Sequence, residues 1–272
     1  MQEQDDITYQ QLLLPLGIDM SGREIFMSLK QMRHIFIAGQ TGSGKSVFLN
    51  SIINSLLCSY APNQLKLMLY DSNLLEFQWY AGIPHLILPV ITDPAEGIEL
   101  LNWAWLETKG RLQTLRKAGT RDIDSYNQYA KKESLSTLPY IVLIVGECSE
   151  ILAAGSSELE TKLIRLCQIG HNCGIHLIFA LSVAIEETIS QAIVASFPSK
   201  VVFRCDYQTS TYLLDHSDAS QLFGNGDFLL RTPDLQTKRI QGVFTSDSDS
   251  WRLSDFWRHA KPLQSPPTKY WM

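Results

Sequence analysis

The stretch Gly39-Gln40-Thr41-Gly42-Ser43-Gly44-Lys45-Ser46 decides the fold of this chain. It fills every position of the pattern G-x-x-x-x-G-K-[ST] and follows an apolar run, His34-Ile35-Phe36-Ile37-Ala38. Its glycines let the backbone curl until its N–H groups face a polyphosphate. Lys45 reaches the outer phosphates, and the Ser46 hydroxyl is placed to ligate Mg²⁺. Val47 to Tyr60 reads as a helix whose N-terminus aims its positive dipole end at the same phosphates. Strand, glycine loop and helix in that order separate a phosphate loop from a glycine turn that merely precedes a core helix. The expected nucleotide contacts are Gly39, Thr41, Gly42, Ser43, Gly44, Lys45, Ser46 and Val47, with ATP and Mg²⁺ as cofactors.

The chain has 272 residues, 45 % of them hydrophobic, enough to bury the core of one large α/β domain, with or without a small appendage. Its net charge of −5 excludes a broadly basic surface, so a nucleic-acid partner needs a local patch of Lys and Arg. The five cysteines (58, 148, 167, 173 and 205) form no C-x-x-C pair and read as reduced core thiols of a cytosolic protein rather than a metal site. The longest apolar runs, Tyr140–Val145 and Leu86–Ile91, are far short of a membrane span, and the acidic N-terminus shows no signal peptide. The expected location is the cytoplasm, with membrane association only through a partner or a longer parent protein.

Outward from the loop, Leu12–Leu16, the turn at 19–22 and Glu24–Leu29 read as an entry hairpin. Leu65–Tyr70 reads as a second strand ending at Asp71, and Leu86–Ile91 as another short one. Pro94 opens a long helix to about Ala118 whose Trp103, Leu106, Leu112 and Leu115 are expected in the core. A short helix at 125–132 precedes Tyr140–Val145, six apolar residues in a row, the pattern of a strand buried on both faces. Helix 156–172, strand 175–181, helix 186–195, strand 200–205 and a hairpin around 227–243 complete the series. The alternation predicts an α/β fold with a mostly parallel, doubly wound sheet flanked by helices, and hairpins at both ends. One domain over 1–262 and an exposed tail over 263–272 are expected.

Phosphate-loop ATPases need a second strand that ends in an acid for the Mg²⁺ water shell, with an adjacent glutamate to polarise the attacking water. The strand 141–145 ends Gly146-Glu147-Cys148. Glu147 is therefore the candidate catalytic base, whereas Gly146 carries no carboxylate where the aspartate is expected. Asp71, at the end of a neighbouring strand, is the acid nearest in chain order. An acid that only caps the next turn is the bland alternative for Glu147.

The pattern resembles the motor domain of the FtsK/SpoIIIE DNA translocases from about Leu16 to Phe244. The resemblance rests on Leu16–Gly22, on His34–Ser46, on Asp71–Glu76 with Tyr80–Leu86, on Gly119–Asn127, on Cys173–Leu177, and on Leu214-Asp215 with Leu222–Asp227. It implies a RecA-like ATPase that assembles as a hexameric ring, pulls double-stranded DNA through a central pore, and takes no small-molecule substrate beyond the nucleotide. It places Lys200 and Arg204 near the pore-facing region and Arg121 near a subunit interface, as tentative nucleic-acid residues. The basic run Lys109, Arg111, Arg116 and Lys117 reads equally well as a solvated helix face.

Departures from the family pattern accompany the matches. Asn73 replaces a lysine, and a glutamine and the arginine beside it fall on Ser182 and Val183. Two further arginines are His171 and Thr211, and a lysine expected to face DNA is Val194. An arginine donated across a subunit boundary is typically worth about 10³–10⁵ in rate in such enzymes. Two functions therefore compete. One is an ATP-driven DNA translocase of the kind that acts in chromosome segregation, sporulation or conjugation. The other is a catalytically degenerate ATP-binding subunit that holds a ring together or docks a partner in DNA- or protein-transfer machinery. A small-molecule kinase lacks support, because no lid-like arginine cluster or acceptor site is visible.

Overall fold

The computed structural model describes residues 12–182, 189–232 and 235–260. In chain order its elements begin β1 (Leu13–Asp19), β2 (Glu24–Ser28), α1 (Leu29–Met32), β3 (Ile35–Ala38), α2 (Lys45–Ser59) and β4 (Leu65–Tyr70). They continue α3 (Pro94–Lys117), α4 (Ile123–Lys132), β5 (Tyr140–Val145), α5 (Ser149–Ala154), α6 (Ser157–Ile169) and β6 (Ile175–Leu181). The last are α7 (Gln191–Ser196), β7 (Ser199–Phe203), α8 (Tyr207–Leu214), β8 (Asp227–Thr232), β9 (Leu235–Gly242) and α9 (Asp247–His259).

The strands form one sheet in the order β2-β1-β9-β8-β7-β3-β6-β5-β4. Its five parallel members, β7 to β4 in that order, alternate their side chains between two cores. Ile35, Ile37, Val142 and Ile144 enter one core with Phe48 and Ile52 of α2. Phe36, Leu143 and Phe179 enter the other with residues of α3, α6 and α7. Burial on both faces explains why these strands carry unbroken apolar runs. The two hairpins expected at the chain ends extend the same sheet antiparallel, with β1 pairing β9 through Gly17↔Gly242.

Several local readings change. Residues 86–91 touch β4 only at the isolated bridges Leu67↔Leu86 and Tyr70↔Ile91 and form no full strand. The helix expected at 156–172 ends at Ile169 and tightens into a 3₁₀ turn before Gly174, whose left-handed φ of 72° stops it. The helix expected at 186–195 occupies Gln191–Ser196; residues 183–188 lie outside the described residues, as do 263–272 of the expected tail. Helix α3 starts at Pro94 behind Asp93, whose carboxylate accepts from the N–H groups of Ala95 (2.8 Å) and Glu96 (3.1 Å). It buries Leu101, Ala104, Thr108, Arg111 and Leu115, whereas Leu106, expected in the core, is 59 % exposed. Arg111 is no part of a solvated face: its guanidinium donates to the carbonyls of Pro139 (2.7 Å) and Cys173 (3.0 Å), pinning α3 to the entries of β5 and β6. None of the five cysteines is in a disulfide, four of them are buried, and no helix among the described residues is long and apolar enough to cross a membrane.

Helix α9 is the largest unexpected element. Ser246 and Asp249 close a reciprocal capping box at its start, and Leu253 and Trp257, four residues apart, carry its buried face. The Trp257 indole N–H donates to the Leu57 carbonyl at 3.0 Å, so α9 lies along α2. Trp257→Ala is expected to cost about 3–5 kcal/mol in a urea melt, because it opens a cavity against α2. Two buried histidines give the fold a pH dependence. Burial lowers His85, beside the Tyr60 carbonyl and Lys66, to about 4, and it lowers His176, beside the Arg33 carbonyl, Lys30, Asp124 and His171, to about 4. Both are neutral when folded and regain 6.5 when unfolded. Their contribution is complete above about pH 6.5 and is lost as pH falls toward 4, by up to roughly 3 kcal/mol each. Urea midpoints are therefore expected to drop steeply between pH 6.5 and 4.5.

Candidate functional site

The loop between β3 and α2 lies at the carboxyl ends of the parallel strands and is held on three sides by backbone. The Gly39 N–H donates to Leu181 O at the end of β6 (3.3 Å), and the Gln40 N–H to Arg204 O just beyond β7 (2.8 Å). On the third side the Gly226 N–H donates to Ser43 O (2.9 Å). Gly44, at φ 114°, packs so closely there that a Cβ would lie 2.6 Å from Gly226 N. Only glycine fits that approach. Helix α2 begins at Lys45, and its first N–H groups have no acceptor within the helix.

The side chains of the site converge. The Lys45 ammonium folds back and donates to Gly39 O (2.7 Å) and Gln40 O (3.0 Å). Burial pulls its pKa below the ordinary lysine value, against the opposing pull of the Glu147 and Glu76 carboxylates. Ser46 donates to Glu76 Oε1 at 2.5 Å, and its carbonyl accepts from the Asn50 amide at 3.0 Å. Ser43 Oγ and Glu76 Oε2 are buried without a protein partner. Thr41 is exposed at the tip, and Val47 is half-buried in the first turn of α2.

Glu147 stands at the end of β5, half-buried. Its carboxylate accepts from the Ser149 N–H (3.2 Å) and from the Ser182 N–H at the end of β6 (2.9 Å). It therefore caps the following turn and at the same time faces the lysine of the loop. Asp71 does not fill the place of an acid at 146, because its carboxylate is spent on its own loop. Oδ2 accepts from the N–H groups of Glu76 (2.8 Å) and Phe77 (3.1 Å), and Oδ1 from that of Asn73 (3.3 Å).

Glu76 is the residue that sequence reasoning missed. It lay inside a matched segment, but nothing in its spacing reveals the contact with Ser46. Burial raises its pKa, the Ser46 bond opposes the rise, Asp71 and Glu147 reinforce it, and Lys45 counters it. A Cβ built on Gly146 would sit 3.2 Å from Glu76 Oε2 and 3.2 Å from Phe77 Cε2.

The three tentative nucleic-acid residues do not come together. Arg204 is exposed at the carboxyl edge of the sheet, where its carbonyl holds the phosphate loop. Lys200 is half-buried near the start of β7, opposite Arg231 of β8. Arg121, 93 % exposed, lies between α3 and α4 at the amino edge of the sheet. Val194 is buried in the core and faces no partner surface. His171 is half-buried, its ring edge-on to His34 at 5.9 Å, and exposed Thr211 donates to its own helix at Tyr207 O (2.9 Å).

The comparisons with known proteins accord with this geometry. The model of the FtsK/SpoIIIE family matches residues 1–193. The DNA translocase FtsK of Oceanobacillus iheyensis is 38 % identical over 252 residues, which are 90 % of this chain and 32 % of that protein. The chain thus spans about a third of the length of the curated relatives it matches. Among solved structures, it resembles the cytoplasmic domain of the type VII secretion ATPase EccC of Thermomonospora curvata, with a TM-score of 0.78 at 19 % identity, covering 97 % of this chain and 32 % of the other. It also resembles the pCW3 conjugation coupling protein TcpA, solved as a monomer with ATPgS, with a TM-score of 0.75 at 24 % identity, covering 91 % and 71 %. These likenesses establish a RecA-like phosphate-loop ATPase fold, and with the matched family model they show that the chain belongs to the FtsK/SpoIIIE family.

Proposed function

We propose that this chain, over residues 1–262, is an ATP-binding, ring-forming motor domain that couples ATP hydrolysis to the translocation of double-stranded DNA. The observation that carries the reading is the union, at one sheet edge, of a complete phosphate loop with Glu147 at the end of β5. Lys45 would leave the carbonyls of Gly39 and Gln40 for the outer phosphates, which accept more strongly. Glu147 would orient and polarise the attacking water. Ser46 and Glu76 offer hard oxygens beside the loop, and the unpartnered Ser43 Oγ and Glu76 Oε2 fit a site that takes up a Mg²⁺-nucleotide. Bound there, Mg²⁺ would neutralise phosphate charge. The relatives named as DNA translocases support DNA as the cargo, with Arg121, Lys200 and Arg204 as candidate contacts. Self-association into a hexamer is supported by family membership and by exposed Phe26, Phe223 and Phe244. The domain would work in the cytoplasm, at a membrane only through a partner or parent protein.

The degenerate-subunit reading is favoured by the bare Gly146 and by His171 and Thr211, which offer no guanidinium for a neighbour's phosphate. Steady-state ATP hydrolysis with and without long double-stranded DNA separates the two. Turnover stimulated by DNA is the expected result, and ATP binding without turnover would establish the structural subunit instead. Lys45→Ala is expected to weaken ATP binding by roughly 100-fold, since several charge-assisted bonds of about 1.5–3 kcal/mol go with the ammonium. Retained affinity, read by titration calorimetry, would remove the phosphate-loop assignment.

A further inference from the structure

We propose that Glu76 replaces the carboxylate missing at Gly146 and holds the Mg²⁺ water shell beside Ser46, an inference that rests on the nucleotide-site reading above. Three observations converge on it. Glu76 Oε1 already accepts from the Ser46 hydroxyl at 2.5 Å, so the acid stands at the loop hydroxyl whose place in the pattern suits it to a hard cation. Glu76 Oε2 lies 3.2 Å from where a Cβ on Gly146 would be, so this carboxylate fills the space into which a side chain at 146 would grow. That same oxygen is buried with no protein partner, which costs free energy unless a ligand satisfies it.

The loop that carries Glu76 is built to keep it there. Asp71 accepts from the backbone N–H groups of both Glu76 and Phe77, and the Phe77 ring is fully buried in the core beneath the loop. Asp71 is therefore a positioning residue. The Phe77 ring edge and the Glu76 carboxylate both lie close to position 146, so a side chain there is accommodated when they shift by a few tenths of an ångström. The carboxylate nearest Ser46 is thus carried by the loop after β4, and the end of β5 carries none at position 146.

The test measures binding of a non-hydrolysable, fluorescent ATP analogue in saturating Mg²⁺ and in EDTA, for the unaltered chain, Glu76→Gln, and Glu76→Gln with Gly146→Asp. The inference requires Glu76→Gln to lose about 10- to 100-fold of affinity in Mg²⁺ and none in EDTA, the range seen when a group that orients a metal site is removed. Unchanged affinity in EDTA also shows that the variant is folded. Adding Gly146→Asp is expected to restore part of the Mg²⁺ dependence by returning a carboxylate to the strand. Mn²⁺ titration of the nucleotide complex, followed by electron paramagnetic resonance, should show the same order. Equal affinity of Glu76→Gln in Mg²⁺ overturns the inference, and tighter binding overturns it by showing that Glu76 competes with the metal for Ser46. No analogue binding by the unaltered chain would sink the nucleotide-site reading itself and this inference with it. Mg²⁺-enhanced binding that survives Glu76→Gln sinks the inference alone.

Discussion

The phosphate loop keeps its shape because two glycines from distant parts of the chain touch backbone to backbone. Gly44 closes the loop, Gly226 opens the turn before β8, and the bond from Gly226 N–H to Ser43 O seals the contact. Gly226 O in turn accepts from the Gly242 N–H (2.8 Å), at the end of β9. Beneath the turn, Asp227 holds Arg239 through two bonds of 3.0 and 2.7 Å and accepts from the Phe223 N–H. The phosphate loop and the C-terminal hairpin are therefore joined directly by backbone contacts. The hairpin pairs with β1, and the same turn displays Phe223 to solvent, with the Arg239 guanidinium 4.8 Å from its ring centre. The glycine-rich turn thus links the phosphate loop to an exposed aromatic side chain at the surface.

A second wall faces the first. The 3₁₀ turn at Gln78–Tyr80 follows Glu76 directly, and the Tyr80 hydroxyl donates to Asn50 Oδ1 of α2 at 2.7 Å. Asn50 holds the Ser46 carbonyl, and Asn54 reaches Ser250 of α9 at 3.0 Å. Arg258 of α9 donates to the carbonyls of Trp79 and Ala81. A buried polar network of this kind is stable only when its members are all satisfied, so it fixes one arrangement of the loop after β4. The last helix of the described chain is in this way part of the support of the loop that carries Glu76.

The strands and the phosphate loop were legible because their signals are local: unbroken apolar runs, and an eight-residue pattern between a strand and a helix. Helix α9 was not, because its buried anchors Leu253 and Trp257 are interspersed with Asp, Ser and Arg and with an exposed Trp251, and the Trp257 indole finds its partner in α2, two hundred residues earlier. The buried stripe of α3 runs through Thr108 and Arg111, polar types that hydropathy discards, while Leu106 falls on the wet side. Arg111 is tolerated inside because two strand-entry carbonyls and Glu107 satisfy it, a condition that only the folded chain reveals. In the site, residue identity fixed where Lys45, Ser46 and Glu147 would lie. It could not show that Asp71 is consumed by its own loop or that Glu76 leans over a glycine.

A metal carboxylate borne by Glu76 instead of by position 146 would change what controls the site. An acid at the end of β5 would be held by a strand buried on both faces and paired on both edges. Glu76 sits on a loop whose position depends on the Asp71 carboxylate, the Phe77 anchor and the clamp from α9. Metal coordination is thereby coupled to groups that a strand-borne acid would not consult. Glu147 keeps the strand position and is tied to the ends of both β5 and β6 through Ser149 and Ser182. Glu147 and Glu76 thus answer to different parts of the fold, the first to the sheet and the second to the loop. With Glu76 beside Ser46, a glycine at the end of β5 still leaves the site a carboxylate for the metal under the proposed reading.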